Sequence, residues 1–239
     1  MKKDLFEKKF KKFIPILTEG IQDSDGNWTI KGFTDVLGNV YPIANDTKII
    51  SKLLENQIFP LLKEWCEDNG FDLELPKHQN YYPDATLISK KDKKVMYAVD
   101  FKTTYRDSAK PEKCNGFTLG SHGTYFHDRT CTKNIQYPYS DYMAHYSLGL
   151  IYDRNDVDID ETKRYNSENQ DEIQSVISNF TIFLQEKWKI ASDKRGSGNT
   201  ANIGSVKDIQ ALIEGKGTFA EYGEKCLMHI GYNMEKPQS

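Results

Sequence analysis

Pro83-Asp-Ala-Thr-Leu-Ile-Ser89 and Lys94-Val-Met-Tyr-Ala-Val-Asp-Phe-Lys-Thr103 are two short apolar runs joined by the turn Ser89-Lys-Lys-Asp-Lys-Lys94. They read as consecutive strands of one hairpin. Side chains alternate along a strand, so Asp100 and Lys102 point to one face. Val95, Tyr97, Val99 and Phe101 fill the other face, while Met96 and Ala98 share the face of Asp100 and Lys102. A strand apolar on both faces is usually central and buried. The turn folds the first run back, which brings Asp84 level with Asp100. A carboxylate and an ammonium near the end of such a strand are costly unless they are paired or bind a metal.

Two carboxylates and a lysine at one place are what metal-dependent phosphodiester hydrolysis needs. Carboxylates hold Mg²⁺, which keeps several waters and takes one or two protein carboxylates plus phosphate oxygens. The ion acidifies water and offsets developing charge. A nearby lysine stabilises the hydroxide or the pentavalent transition state. Asp84, Asp100 and Lys102 fit those roles. A strand-end turn aspartate and a surface Asp–Lys pair would give the same short pattern. The two apolar faces of the strand weigh against that reading.

The bulk properties narrow the setting. A chain of 239 residues can bury one good core, and 28% charged residues fit a soluble globular protein. No apolar run approaches membrane-spanning length, and the Lys-rich start lacks a signal-peptide apolar stretch, so a cytoplasmic protein is expected. Cys66, Cys114, Cys131 and Cys226 form no C-x-x-C pair and read as reduced thiols. The net charge is only −3, so any nucleic-acid role must come from local basic patches.

Around the hairpin, the first dozen residues read as a charged helix with Leu5, Phe6, Phe10 and Phe13 as its apolar stripe. Residues 27–43 read as a second hairpin turning at Leu37-Gly-Asn39. Asp46 is the N-cap of a long helix from Thr47 to about Asp68, ended by Asn69-Gly70, with Pro60 expected to kink or split it. Residues 115–124 contain a candidate strand. Residues 141–152 could run helix into strand, and 153–174 read as a polar, acidic loop. Residues 179–184 read as a strand and 185–191 as a short helical turn carrying Trp188. Asp23-Ser-Asp-Gly-Asn27 is a turn. His122, His127 and His145 lack metal-ligand spacing and read as structural or surface histidines.

Three further features carry a functional reading beside a plain one. Glu55 in the long helix reads first as a solvated charge. Gly196-Ser-Gly-Asn-Thr-Ala-Asn-Ile-Gly-Ser205 reads as a surface connection or as a base-reading loop, since glycines allow close backbone approach and Asn can pair with adenine. Lys77-His-Gln-Asn80 is a loop whose amides also suit DNA contacts.

The chain resembles the type II restriction endonucleases of the EcoRV kind, within the PD-(D/E)xK nuclease superfamily. The resemblance runs through Tyr41-Pro-Ile-Ala-Asn-Asp-Thr-Lys48, Pro76-Lys-His-Gln-Asn-Tyr-Tyr-Pro-Asp-Ala-Thr-Leu87 and Asp100-Phe-Lys-Thr-Thr-Tyr105. It continues in Phe117-Thr-Leu-Gly120, Thr132-Lys-Asn-Ile135, Phe183-Leu-Gln-Glu-Lys-Trp188, Gly196 to Ser205 and Glu214-Gly-Lys-Gly217. It implies an α/β (α+β) restriction-endonuclease-like fold, a central mixed β-sheet flanked by helices. Residues 1–45 would form an N-terminal helix and hairpin used in dimerisation, and 46–239 the catalytic and DNA-binding core.

The resemblance further implies a homodimer that clamps double-stranded DNA and cuts a palindrome with Mg²⁺ as cofactor. Asp84 and Asp100 would bind the metal, with Glu55 an auxiliary acidic ligand and Lys102 the support of the attacking water. Gly196, Ser197, Gly198, Asn199, Thr200 and Ala201 would read outer bases, Gln79 and Asn80 the minor groove and backbone, and Lys133 would face DNA. GATATC with a blunt central cut is the expected site. Ala201 stands where the family pattern has threonine, and His78 where it has glutamine. A partner methyltransferase is expected functionally. The other readings are a structure-specific repair or recombination nuclease and a DNA-binding protein without turnover.

Overall fold

The computed structural model describes residues 1–121, 128–195 and 202–223. Helix α1 (Lys3–Ile21) opens the chain and buries Phe6, Phe10, Phe13, Leu17 and Ile21 at helical spacing. It is longer than the dozen residues expected, and Leu5 at its start is exposed. A small hairpin of β1 (Gly32–Thr34) and β2 (Val40–Pro42) follows, turning at Gly38 with φ 82°. Asp35 shapes the turn by accepting from the backbone N–H groups of Leu37 and Asn39 at 2.9 Å.

Helix α2 (Thr47–Asn69) has the expected cap. Asp46 accepts from the N–H groups of Lys48 and Ile49, and Gly70 closes the far end in the left-handed region. Pro60 neither breaks nor splits it. Ile50, Leu54, Ile58, Leu62 and Trp65 on both sides of the proline bury into one core.

The main sheet has the order β3-β4-β5-β8-β9, with β6 added to the end of β5. Its strands are β3 (Phe71–Glu74), β4 (Ala85–Ser89), β5 (Met96–Asp107), β6 (Lys110–Cys114), β8 (Tyr142–Arg154) and β9 (Ile177–Glu186). β5 and β8 are parallel and the other neighbours antiparallel, so the sheet is mixed. A second sheet of β7 (Thr118–Ser121), β10 (Ala191–Arg195) and β11 (Asn202–Ser205) lies beyond a one-turn helix α3 (Lys187–Ile190). Helix α4 (Ile209–Glu214) ends the described chain apart from a short turn.

Two expectations are corrected here. Of residues 141–152, read as a run that could go from helix into strand, only Asp141 ends a single 3₁₀ turn and the rest is strand. The segment is apolar on both faces because packed layers cover β8 on both sides of the sheet. Residues 202–205, read as part of a surface connection, form β11, which pairs with β10 just before position 196.

The main sheet separates two apolar layers. Tyr97, Val99, Phe101, Tyr146, Leu148 and Leu184 face α1 and α2, where Phe6 stacks on Tyr97 at 4.0 Å between ring centroids. Met96, Ala98, Ile151 and Phe183 face the other way, toward Phe117, Leu119, Ile203 and Leu212. The first 21 residues therefore share the core of the sheet. No helix among the described residues is long and apolar enough to cross a membrane.

Candidate active site

β4 and β5 pair in the register Ala85↔Val99 and Leu87↔Tyr97. Asp84, one residue before β4, thereby comes beside Asp100 and Phe101, as the hairpin reading required. The backbone N–H of Phe101 donates to Asp84 Oδ2 at 2.7 Å. The peptide bond Tyr82-Pro83 that leads into Asp84 is cis.

Asp100 is only 5% exposed. Its Oδ2 lies 2.8 Å from the Lys102 ammonium, so the two side chains share one face of β5 as alternation demands. Asp100 is buried and Lys102 half-buried, so this is not the surface pair that the short motif also allowed. Lys102 also donates to the Phe101 carbonyl at 3.2 Å.

A second lysine completes the cluster. Lys187 Nζ is 2.9 Å from the same Oδ2 of Asp100, and its side chain is 2% exposed. It stands 4.0 Å from the centre of the Tyr82 ring. Sequence reasoning assigned it no role. Gln185, Glu186 and Lys189 surround it in the sequence, so nothing local marks it as the buried one.

The electrostatics follow from this crowding. Burial first, and then the Asp100 charge, push the Asp84 carboxyl up to about 7, with Lys102 opposing. Burial acts the same way on Asp100, but Lys102, Lys187 and the hydrogen bond with Asp84 together outweigh it and hold that carboxyl well below the usual range. Burial pulls the Lys187 ammonium down, against the attraction of Asp100. Burial also lowers Lys102, but Asp100 and Asp84 prevail and raise it. One acid is thus pushed toward the neutral form while its neighbour stays ionised.

Behind the carboxylates, Tyr82 donates its hydroxyl hydrogen to His145 Nδ1 at 2.9 Å, and His145 Nε2 donates to the Tyr139 carbonyl at 3.0 Å. A carbonyl can only accept, which fixes this tautomer. His145 is therefore a buried structural histidine, as expected.

Lys102 opens onto a cleft of about 760 Å³ that is also lined by Lys48, Ser51, Glu55, Gln79 and Thr103. Glu55 faces this cleft instead of bulk solvent, and its carboxylate is ion-paired with Lys52. It is not gathered with the aspartates, since no group of three or more His, Cys, Asp or Glu among the described residues is placed to hold a metal. Gln79 and Asn80 are exposed in a turn, and Gln79 reaches the cleft wall. Lys133 is exposed in another turn, pinned to the catalytic segment by Tyr82 N–H donating to the Asn134 carbonyl and Gln136 N–H to the Tyr82 carbonyl. Gly196, Ser197, Gly198, Asn199, Thr200 and Ala201 lie outside the described residues, as do His122, His127 and Cys226.

The donor set suits a hard divalent cation. Mg²⁺ takes one or two protein carboxylates and keeps its waters, and two crowded aspartates supply that. Burial and, after it, the Asp100 charge push Asp84 up, and a divalent cation would offset both by holding the carboxylate ionised.

Residues 24–237 match the family model described as restriction endonuclease EcoRV. The chain is 37% identical over 204 residues to the type II restriction enzyme EcoRV of Escherichia coli, covering 85% of this chain and 82% of that enzyme. The solved structure of the NlaIV restriction endonuclease is similar over 96% of this chain and 86% of that one, at 10% identity and a TM-score of 0.41.

Proposed function

This chain belongs to the EcoRV family of restriction endonucleases, and from that premise we propose that it cuts double-stranded DNA at a palindrome in a Mg²⁺-dependent reaction. It is a type II restriction endonuclease, a hydrolase that cleaves DNA site-specifically. The observation that carries the assignment of the site is half-buried Asp84 beside buried Asp100, with Lys102 next to them at the edge of a cleft.

In this reading Asp84 and Asp100 hold the ion, and Glu55 is an acidic group on the cleft wall. Bound Mg²⁺ supplies an acidified water and offsets charge on the scissile phosphate. Lys102 keeps its proton, so its ammonium can orient the attacking oxygen and stabilise charge at the phosphorus. Phe101, through its N–H, fixes the direction of the Asp84 carboxylate. The products are a 5′-phosphate and a 3′-hydroxyl.

Two copies would face each other across the DNA, because a two-fold protein reads a two-fold site. The β1–β2 hairpin supports this, since Phe33, Val36, Leu37 and Tyr41 expose apolar surface around its tip. Gln79, Asn80 and Lys133 sit on exposed turns linked to the catalytic strand and would meet the minor groove and backbone. The sequence Gly196-Ser-Gly-Asn-Thr200 would read the outer bases of GATATC, and the central step would be chosen by deformability.

Digestion of an unmethylated plasmid of known sequence, with Mg²⁺ or with EDTA, tests this reading. Discrete blunt fragments ending at GAT/ATC, made only with Mg²⁺, are expected. Fragments at another site would overturn the proposed specificity and leave the chemistry standing. Binding with no cleavage by folded protein would overturn the catalytic assignment.

A further inference from the structure

Asp100 is gripped by two cations at one oxygen. Lys102 reaches Oδ2 beside the cleft and keeps 21% of its side chain exposed, whereas Lys187 reaches it from the interior and is sealed off. Lys187 is the first residue of α3, directly after β9, so the end of that strand delivers it into the sheet's polar interior.

Lysines are almost never fully buried unless paired, and Lys187 has two compensations. One is Asp100. The other is the face of Tyr82, 4.0 Å from the ammonium. Tyr82 is itself locked by His145, which is locked by the Tyr139 carbonyl. The lysine head is therefore held by a fixed ring and holds in turn a fixed carboxylate. A surface salt bridge needs none of this.

We propose that Lys187 is a positioning residue of the nuclease site, an internal cation that clamps Asp100 and offsets its charge until a divalent ion arrives. The inference rests on the reading of Asp100 as a metal ligand. Its consequence has a sign. A lysine that only filled space would, when removed, loosen the site and weaken ion binding. An internal cation repels an incoming ion across a short, poorly screened distance, so removing it tightens ion binding.

The test compares wild type, Lys187→Met and Asp100→Asn. Mn²⁺ binding is followed by the paramagnetic resonance of the free ion, and thermal unfolding is recorded with EDTA and with millimolar Mn²⁺. Lys187→Met is expected to bind Mn²⁺ about ten-fold or more tightly than wild type. It should melt lower than wild type in EDTA and gain more from Mn²⁺. Equal or weaker binding by a folded Lys187→Met protein overturns the proposal. So does a variant that is unfolded in EDTA and stays unfolded in Mn²⁺, because the ion would then fail to take over the lysine's task. Undiminished Mn²⁺ binding by Asp100→Asn instead removes the metal-ligand reading itself.

Discussion

The N–H of Phe101 donates to Asp84 Oδ2 at 2.7 Å, so the residue between Asp100 and Lys102 fixes the other carboxylate through its backbone. The Phe101 ring meanwhile faces the opposite layer, at 5.2 Å from Phe59. One strand thus carries one acid on its side chain, orients the second by its peptide, and buries an anchor behind both.

That single bond does not offset the crowding of the two acids. Burial and the Asp100 charge keep the Asp84 carboxyl at about 7, so an entering divalent ion must displace a proton. Mn²⁺ affinity should weaken as pH falls through about 7, and binding near neutrality should release a proton. Calorimetry in two buffers of different ionisation enthalpy measures that release. Identical heats in both would show that Asp84 is already ionised.

Asp100→Ala should abolish cleavage. It should also destabilise the fold by about 3–5 kcal/mol, because it strands the Lys187 ammonium inside the protein. Adding Lys187→Met should return most of that stability and none of the cleavage. Urea melts of the single and double variants decide the point, and a double variant as unstable as Asp100→Ala counts against it.

Burial pulls the His145 pKa down to about 3 from 6.5, with the hydrogen bond to the Tyr139 carbonyl opposing. Between those values the unfolded chain binds a proton that the folded one refuses. This contribution is complete above about 6.5 and is lost on acidification toward 3. The slope it adds is up to about 1.4 kcal/mol per pH unit. Unfolding free energy measured against pH should be flatter in that window for His145→Gln. An unchanged slope would mean that His145 titrates normally.

Gly149 pairs with Lys102 on one side and Phe183 on the other. A Cβ there would meet the Phe183 ring at 2.3 Å, and that ring packs edge-on against Phe117 with centroids 5.9 Å apart. Gly149→Ala should cost about 1–3 kcal/mol by overpacking. Phe183→Leu in the same chain should recover part of it. Urea denaturation reads both, and a Gly149→Ala protein as stable as wild type would refute the clash.

The parts of this architecture that sequence made legible are those set by short-range rules. Alternation put Asp100 and Lys102 on one face, and a six-residue turn brought Asp84 level with them. Asp46 and Gly70 marked the ends of α2 by their hydrogen-bonding and left-handed conformations. What stayed hidden depends on distant partners. β8 read ambiguously because a strand buried on both faces shows no period. Pro60 does not split α2, because the packing on either side of it that keeps the helix whole is tertiary. Lys187 was invisible because nothing near it in the chain announces Asp100, its partner across the sheet.

The pairing of β5 with β8, and of β8 with β9, also dictates an order of events during synthesis. Asp84, Asp100 and Lys102 leave the ribosome early, but the strand that covers them and the lysine that neutralises them come many residues later. Until position 187 is available, Asp100 has no counter-charge on its inner side. A nascent chain with every residue of the short motif is therefore still without the lysine that balances Asp100 from within.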